Sequence, residues 1–142
     1  YMLHKISILN EKFQKNFESY NFHNLYKELL IFCTVDLSSF YFDIRKDCLY
    51  CDSKDSQKRK DCINVLNILL DCLLKWFAPI LSFTSEEIFS LLNKDEKNSI
   101  HLKKFPEFPK SWKNEELEKN WVKINKIRDE IGKLSDQIEE MN

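Results

Sequence analysis

The sequence predicts an all-α fold, a helical bundle of four to five helices with a long loop before the last one. Apolar residues recur every three or four positions in several long segments, which is the period of an amphipathic helix. The 142 residues include a single glycine, Gly132, and three prolines. Tight β-turns and phosphate-cradling loops need glycine, so this composition argues against a β-sandwich, a P-loop and a dinucleotide-binding turn.

Composition predicts one domain over residues 1–142, because 43% of the residues are hydrophobic and 13% are aromatic. The net charge of −1 favours no class of partner. No apolar run is long enough to cross a membrane, and we expect no membrane contact. The chain begins at Tyr1 and not at Met, which predicts a fragment of a larger protein. An odd number of cysteines and no secretory signal predict a cytoplasmic location.

The first helix is predicted over residues 1–20, where apolar residues form one stripe, and Asn21 is expected to end it. That stripe consists of Met2, Ile6, Leu9, Phe13, Phe17 and Tyr20. The segment from Phe22 to Ile44 is apolar nearly all round the helical wheel. This pattern predicts a second helix that is buried in the middle of the bundle.

A third helix is predicted from about Ser56 to Phe77, and Pro79 ends it because proline has no amide hydrogen and disfavours helical geometry before it. Thr84, with Glu87 three residues later, predicts an N-cap and a short fourth helix that ends near Leu92. One core is expected to contain Leu29, Phe32, Phe40, Leu66, Leu69, Leu73, Trp76 and Phe83.

Residues 93–113 contain two prolines and no helical period, and predict a loop wrapped over the bundle. Asn114 is expected to cap the last helix, with acidic residues at its positive N-terminal end. Nothing in the sequence stops this helix before Asn142. Its stripe consists of Leu117, Trp121, Ile124, Ile127, Ile131, Leu134, Ile138 and Met141.

The five cysteines include a close pair, Cys48 and Cys51, which admits three interpretations. Structural zinc needs four ligands, and no second close pair or suitably spaced pair of histidines accompanies these two. A redox pair normally starts a helix after a strand, a context that this sequence lacks. Reduced thiols, several of them small core residues, are the favoured interpretation, so no metal is expected.

No arrangement of carboxylates, histidines and serines resembles a catalytic site, so we expect no catalytic residue in this chain. Charge is uneven along it. Residues 45–61 hold six basic and four acidic residues, and residues 93–113 hold six basic and three acidic ones. A basic loop with Tyr50 inside it suits nucleic-acid phosphates and a stacked base, although a solvated loop has the same composition.

Two stretches carry a more specific signal. They read FCTVDLSSFYFDIRKDCLYC over residues 32–51 and RKDCINVLNILLDCLLKWFAPILSFTSEEIF over residues 59–89. Together they resemble the anticodon-binding helical domain of isoleucyl-tRNA synthetases, class I aminoacyl-tRNA synthetases. The resemblance continues through YMLHKI, LYKELLIF and HLKKFPEFPKSW, and so covers nearly the whole chain. Valyl and leucyl relatives share the Ala-Pro part of the pattern.

The resemblance implies a module that holds the anticodon stem-loop of the tRNA for isoleucine. The parent enzyme is then an ATP-dependent ligase that also uses Mg²⁺, whereas this fragment holds no cofactor. The family's His-Ile-Gly-His and Lys-Met-Ser-Lys-Ser strings are missing here, as is the editing domain. The fragment is expected to be a monomer that works with the catalytic domain of the same parent chain. The alternatives are a helical protein-interaction bundle and the equivalent domain of a valyl- or leucyl-tRNA synthetase.

The resemblance places the tRNA contacts where the second helix passes to the third. The candidate tRNA-binding residues are Arg45, Lys46, Tyr50, Lys54, Lys58, Arg59 and Lys60. Cys48 occupies a position that is often arginine in the family, and Ile63 replaces a common glutamine. The family holds no zinc at this place. The lysines of residues 93–113 are the second choice for the binding face.

Overall fold

The computed structural model describes residues 1–94 and 98–140, and no strand occurs among them. The α-helices are α1 (Met2–Glu18), α2 (Phe22–Ile31), α3 (Asp43–Cys51), α4 (Gln57–Phe77), α5 (Ser82–Leu92) and α6 (Glu115–Glu140). A π-helix, Phe32–Phe42, joins α2 to α3 without a break, so that the three form one long rod. With α1, α4, α5 and α6, the described residues form five rods, which confirms the predicted all-α bundle. None of these helices is both long enough and apolar enough to cross a bilayer.

The first helix has the predicted stripe as far as Phe17, whereas Tyr20, the last predicted member, lies after the helix and is exposed. Met2, Ile6, Leu9 and Phe13 are buried. Tyr20 has a left-handed φ of 55° just after the helix, a conformation that ends helices and that residues other than glycine adopt at a cost. The side chain of Asn21 then accepts a hydrogen bond from the backbone N–H of Asn24 and caps α2.

The core is built around Trp76, which is 0% exposed. Its indole Nε1 donates to Asn10 Oδ1 at 3.0 Å, and Asn10 Nδ2 donates to the carbonyl of Pro106 at 2.8 Å. The rings of Phe13 and Phe32 lie with centroids 6.0 and 6.5 Å from that of Trp76. Trp76 therefore joins α4 to α1 and the long rod, and through Asn10 it is linked to the loop before α6.

The π-helix explains which residues of the long rod face the core. Its wider turn brings Leu37, five residues after Phe32, to the buried side, whereas an α-helix would place Asp36 closer to it. Asp36 instead lies 3.1 Å from Lys5 of α1 in an ion pair. A π-helix has no simple signature in residue types, so the periodicity of the sequence did not predict it.

The prediction that the second helix is buried all round is wrong. α1 and α4 cover only one side of the long rod. Large apolar side chains on its other side are between 44% and 56% exposed, namely Tyr26, Leu30, Ile31, Val35 and Phe42.

Two predictions about the fourth helix are also wrong. α5 begins at Ser82, so Thr84 lies inside the helix and is not its N-cap. The chain turns at Ala78–Leu81, where the Leu81 N–H donates to the Phe77 carbonyl at 2.7 Å, and this turn starts the helix earlier than a capping box would. Phe83, predicted in the core, is 93% exposed, because α5 turns the face of Ser85 and Phe89 to the bundle and Phe83 lies outside that face. The other predicted core residues are buried or pack against the core.

The last helix is held mainly near its start. Asn114 Oδ1 accepts from the Leu117 N–H at 2.9 Å, which confirms the predicted cap, and the Asn114 N–H donates to the buried His4 Nδ1. Trp121 packs on Tyr1 and Phe40. Farther along, Ile124, Ile127, Ile131 and Leu134 are each about half exposed. Met141 and Asn142 of the predicted helix lie outside the described residues.

The five cysteines are free thiols in different surroundings. Cys48, Cys62 and Cys72 are buried, Cys33 is half-buried and Cys51 is exposed at the end of α3. Burial raises the pKa of Cys72 to about 12, and burial together with the Asp52 carboxylate raises the pKa of Cys48. In the part of the chain that the structure describes, no three His, Cys, Asp or Glu side chains are grouped closely enough to hold a metal ion.

Replacing Trp76 with alanine is expected to lower the free energy of unfolding by about 3–5 kcal/mol, because it leaves a large cavity and an unpaired Asn10 amide. Urea denaturation followed by circular dichroism measures this. Phe83→Ala is the matched control, and its effect is expected to stay within about 0.5 kcal/mol because the ring is exposed. A Trp76→Ala protein that unfolds at the wild-type midpoint would contradict the packing described.

Alkylation is expected to distinguish the cysteines. A short pulse of iodoacetamide at pH 8 should label Cys51 first, because the thiolate reacts and Cys51 is the exposed one of the five cysteines. Cys72 and Cys48 should be protected until urea unfolds the protein, since burial hides both and raises the pKa of each. Peptide mass spectrometry measures the labelled fraction at each site. Equal labelling of Cys51 and Cys72 in the folded protein would contradict this assignment.

Candidate nucleic-acid interface

The short connection from α3 to α4, residues 52–56, is a compact turn held by its own polar groups. The Ser56 N–H donates to the Ser53 carbonyl at 3.0 Å, and the Asp55 N–H donates to Ser53 Oγ at 3.3 Å. Ser56 Oγ donates to the Asp52 carboxylate at 3.4 Å. These contacts bring the end of α3 close to the start of α4 and form a corner of the bundle.

All seven candidate tRNA-binding residues lie at this corner, which we call the cationic corner. Three lie on α3, one lies in the connection and three lie in the first turn of α4; they are Arg45, Lys46, Tyr50, Lys54, Lys58, Arg59 and Lys60. Arg45 and Lys58 line the same cleft between the long rod and α4. The structure therefore brings the candidates of both helices to one region.

The lysines of the corner differ in their partners. Lys46 Nζ lies 3.0 Å from Asp43 Oδ1, and this hydrogen bond lowers the pKa of Asp43 and raises the pKa of Lys46. Lys54, Lys58 and Lys60 are exposed and form no ion pair with any side chain that the structure describes. These three ammonium groups are available to neutralise an external anion.

The two arginines of the corner are half-buried and held in place. The Arg45 guanidinium lies over the Tyr41 ring, 5.9 Å from its centroid. Arg59 Nη1 donates a long hydrogen bond of 3.5 Å to the Asp52 carbonyl. The Nε of each arginine is buried without a hydrogen-bond partner. Both side chains are thus positioned by packing more than by ion pairs.

Tyr50 is the exposed aromatic residue of the corner. Its ring is 87% exposed on the last turn of α3 and contacts no other ring in the described structure. Unpaired RNA bases stack on exposed aromatic side chains, and this ring is accessible for such a contact.

The lysines of the long loop lie apart from the cationic corner. Lys103 and Lys104 border a cleft beside the C-terminal half of α4, which also exposes Phe108 and Trp112. Lys103 lies over the Phe89 ring, and Lys113 pairs with Glu11 of α1. Lys97 lies outside the described residues. The loop is therefore a second basic surface and not a continuation of the first.

One member of the corner was not predicted. Tyr41 supports the Arg45 guanidinium, and its hydroxyl lies 3.9 Å from the Cys62 thiol. Burial, with a smaller contribution from this thiol, raises the pKa of Tyr41 to about 12. The spacing of four residues between Tyr41 and Arg45 on one rod is the signal that would have indicated the pair.

The chain is similar to known domains over nearly its whole length. A family model described as the anticodon-binding domain of tRNA ligase matches residues 1–140. An isoleucine–tRNA ligase of Pelagibacter ubique is 66% identical over 129 residues, which are 91% of this chain and 14% of that protein. The corresponding ligase of Mesorhizobium japonicum is 45% identical over 127 residues, 89% of this chain and 13% of that protein.

A more distant relative agrees with these two. The isoleucine–tRNA ligase of Geobacter sulfurreducens is 38% identical over 135 residues, 95% of this chain and 14% of that protein. The chain thus spans about one seventh of the length of the relatives that it matches. The fold, the basic corner and the match over residues 1–140 agree: the chain belongs to the family of anticodon-binding domains of tRNA ligases.

Proposed function

We propose that this chain is the module of an isoleucine–tRNA ligase that binds the anticodon stem-loop of the tRNA for isoleucine. The observation that carries the proposal is the similarity to isoleucine–tRNA ligases over about nine tenths of the chain. The whole protein then attaches isoleucine to its tRNA with ATP and Mg²⁺. That chemistry belongs to a catalytic domain elsewhere in the parent chain, and the chain of 142 residues acts by binding.

The cationic corner is the proposed contact surface. Lys54, Lys58 and Lys60 attract RNA phosphates, because each neutralised phosphate releases condensed counterions. The unpaired bases of an anticodon loop expose flat faces, and Tyr50 offers a ring for one of them. An exposed aromatic ring beside unpaired lysines is the combination that single-stranded loops bind.

Arg59 has a structural contact in addition to its proposed role. Its guanidinium reaches back to the Asp52 carbonyl at the end of α3, so a substitution there changes the corner as well as the charge. Lys54 and Lys60 make no such contact and are better positions for a test of binding alone.

The double variant Lys54→Glu/Lys60→Glu is expected to bind the isoleucine anticodon stem-loop at least tenfold more weakly than wild type at low salt. Two lost phosphate contacts should also flatten the slope of log affinity against log salt by about 1.5. Fluorescence titration of the labelled stem-loop at several salt concentrations measures both quantities.

The matched control is Lys15→Glu/Lys27→Glu, which makes the same charge change on exposed lysines of α1 and α2. Lys27 lies about 30 Å along the long rod from the corner, by the rise of 1.5 Å per residue. The control should keep nearly wild-type affinity. Equal weakening by both double variants would indicate a general charge effect and would remove the corner from the interface.

In the full-length protein, Lys54→Glu/Lys60→Glu is expected to raise the KM for isoleucine tRNA about tenfold, with a much smaller change in kcat. The reason is that these contacts bind substrate and transition state alike. Steady-state attachment of labelled isoleucine measures both constants. A fall in kcat with an unchanged KM would contradict a pure binding role, and no attachment of isoleucine by the wild-type protein would contradict the proposed function.

A further inference from the structure

A cleft of about 340 Å³ opens at the cationic corner, where the long rod packs beside α4. It is lined by Tyr41, Arg45, Lys58, Asp61, Cys62 and Val65. One water occupies about 30 Å³ in the liquid, so the cleft has room for a small polyatomic group and several waters. Two of its six lining side chains are cations.

Arg45 is held in the cleft without an anion beside it. Its guanidinium lies over the Tyr41 ring and its Nε is buried without a hydrogen-bond partner. Among the side chains that the structure describes, no carboxylate lies within ion-pair distance of Arg45. A half-buried guanidinium is usually satisfied by a carboxylate or a phosphate, because its planar fork matches their oxygens.

The carboxylate in the cleft does not satisfy Arg45. Asp61 Oδ1 instead accepts a hydrogen bond from Gln57 Nε2 at 2.8 Å, one turn earlier on α4. On the other wall, Tyr41 presents a hydroxyl that is protonated at neutral pH, as any tyrosine is, and burial raises its pKa further, to about 12. The cleft thus presents a guanidinium, an ammonium group and a neutral hydroxyl to an incoming anion, against one carboxylate, Asp61, which Gln57 already engages.

We propose that this cleft seats one phosphodiester group of the bound RNA, with Arg45 as the oriented donor and Lys58 as the second cation. The inference rests on the proposed function, because the phosphate comes from the stem-loop. The proposal distinguishes two kinds of phosphate contact at the corner, those of the exposed lysines and that of Arg45. The exposed lysines attract phosphates without fixing them, whereas Arg45 fixes one phosphate and so sets the register of the RNA on the bundle.

The test is a double-mutant cycle between the protein and the RNA. Full-length protein, wild type or Arg45→Met, is titrated with isoleucine stem-loops that carry one neutral methylphosphonate at successive positions. For the wild-type protein, the methylphosphonate at one position should weaken binding about tenfold more than one at a neighbouring position. The reason is that the neutral group at that position removes the charge-assisted contact with Arg45. Arg45→Met should bind unmodified RNA about tenfold more weakly and lose the sensitivity at that position alone.

Arg128→Met is the matched control, since Arg128 also lies over an aromatic ring, that of Phe40. Its guanidinium is already satisfied by the Ser39 carbonyl and the Asp43 carboxylate. The Arg128→Met protein should therefore keep the wild-type affinity and the same loss of affinity at the one sensitive phosphate position. Thermal unfolding checks that each variant is folded. If Arg45→Met is unfolded, Arg45→Lys keeps the stem and the charge and should still weaken the position-dependent loss.

Three outcomes are distinguishable. Additive losses at every position, or an Arg45→Met protein with wild-type affinity, would overturn the phosphate seat while the proposed function stands. A wild-type protein that binds no isoleucine stem-loop would overturn the proposed function and the seat with it. Coupling confined to one phosphate would support both.

Discussion

The bundle depends on one polar bridge inside an apolar core, the chain of hydrogen bonds from Trp76 through Asn10 to the Pro106 carbonyl. A buried amide costs free energy unless both of its ends are paired, and here the indole N–H and the loop carbonyl pair them. Apolar contacts alone would let α1 and α4 slide against each other. Directional hydrogen bonds fix their register and bring the loop onto the bundle, where Phe105 packs on Phe13.

The cationic corner depends on this bridge although it lies far from it. α4 is an uninterrupted helix from Gln57 to Phe77, so fixing Trp76 also fixes the position of Lys58, about 27 Å away by helical rise. Cys62 packs against Tyr41 near the other end, and Tyr41 in turn supports Arg45. The charged groups at the corner are therefore positioned by packing between two rigid rods.

The parts of the fold that follow helical period were predictable from the sequence, and the parts that depend on neighbours were not. Helical periodicity predicted the stripe of α1 as far as Phe17 and the burial of Trp76, and together with Pro79 it predicted the length of α4. It missed the π-helix, because Leu37 replaces Asp36 at the core only when five-residue spacing holds. It misplaced Phe83 and Thr84, because the turn after Pro79 starts α5 three residues earlier than the capping pattern suggested and places both residues inside the helix.

The candidate site was predictable in its residues but not in its organisation. The distribution of charge along the chain showed only a weak excess of lysine and arginine, and the resemblance to a family supplied the position of the site. Neither the charge distribution nor the resemblance distinguished the exposed lysines from the arginines, which are held in place by packing. That difference matters physically, because a flexible ammonium group loses side-chain entropy when a phosphate binds, whereas a guanidinium already stacked on Tyr41 loses less. At this corner, attraction and orientation are therefore separate tasks, performed by different residue types.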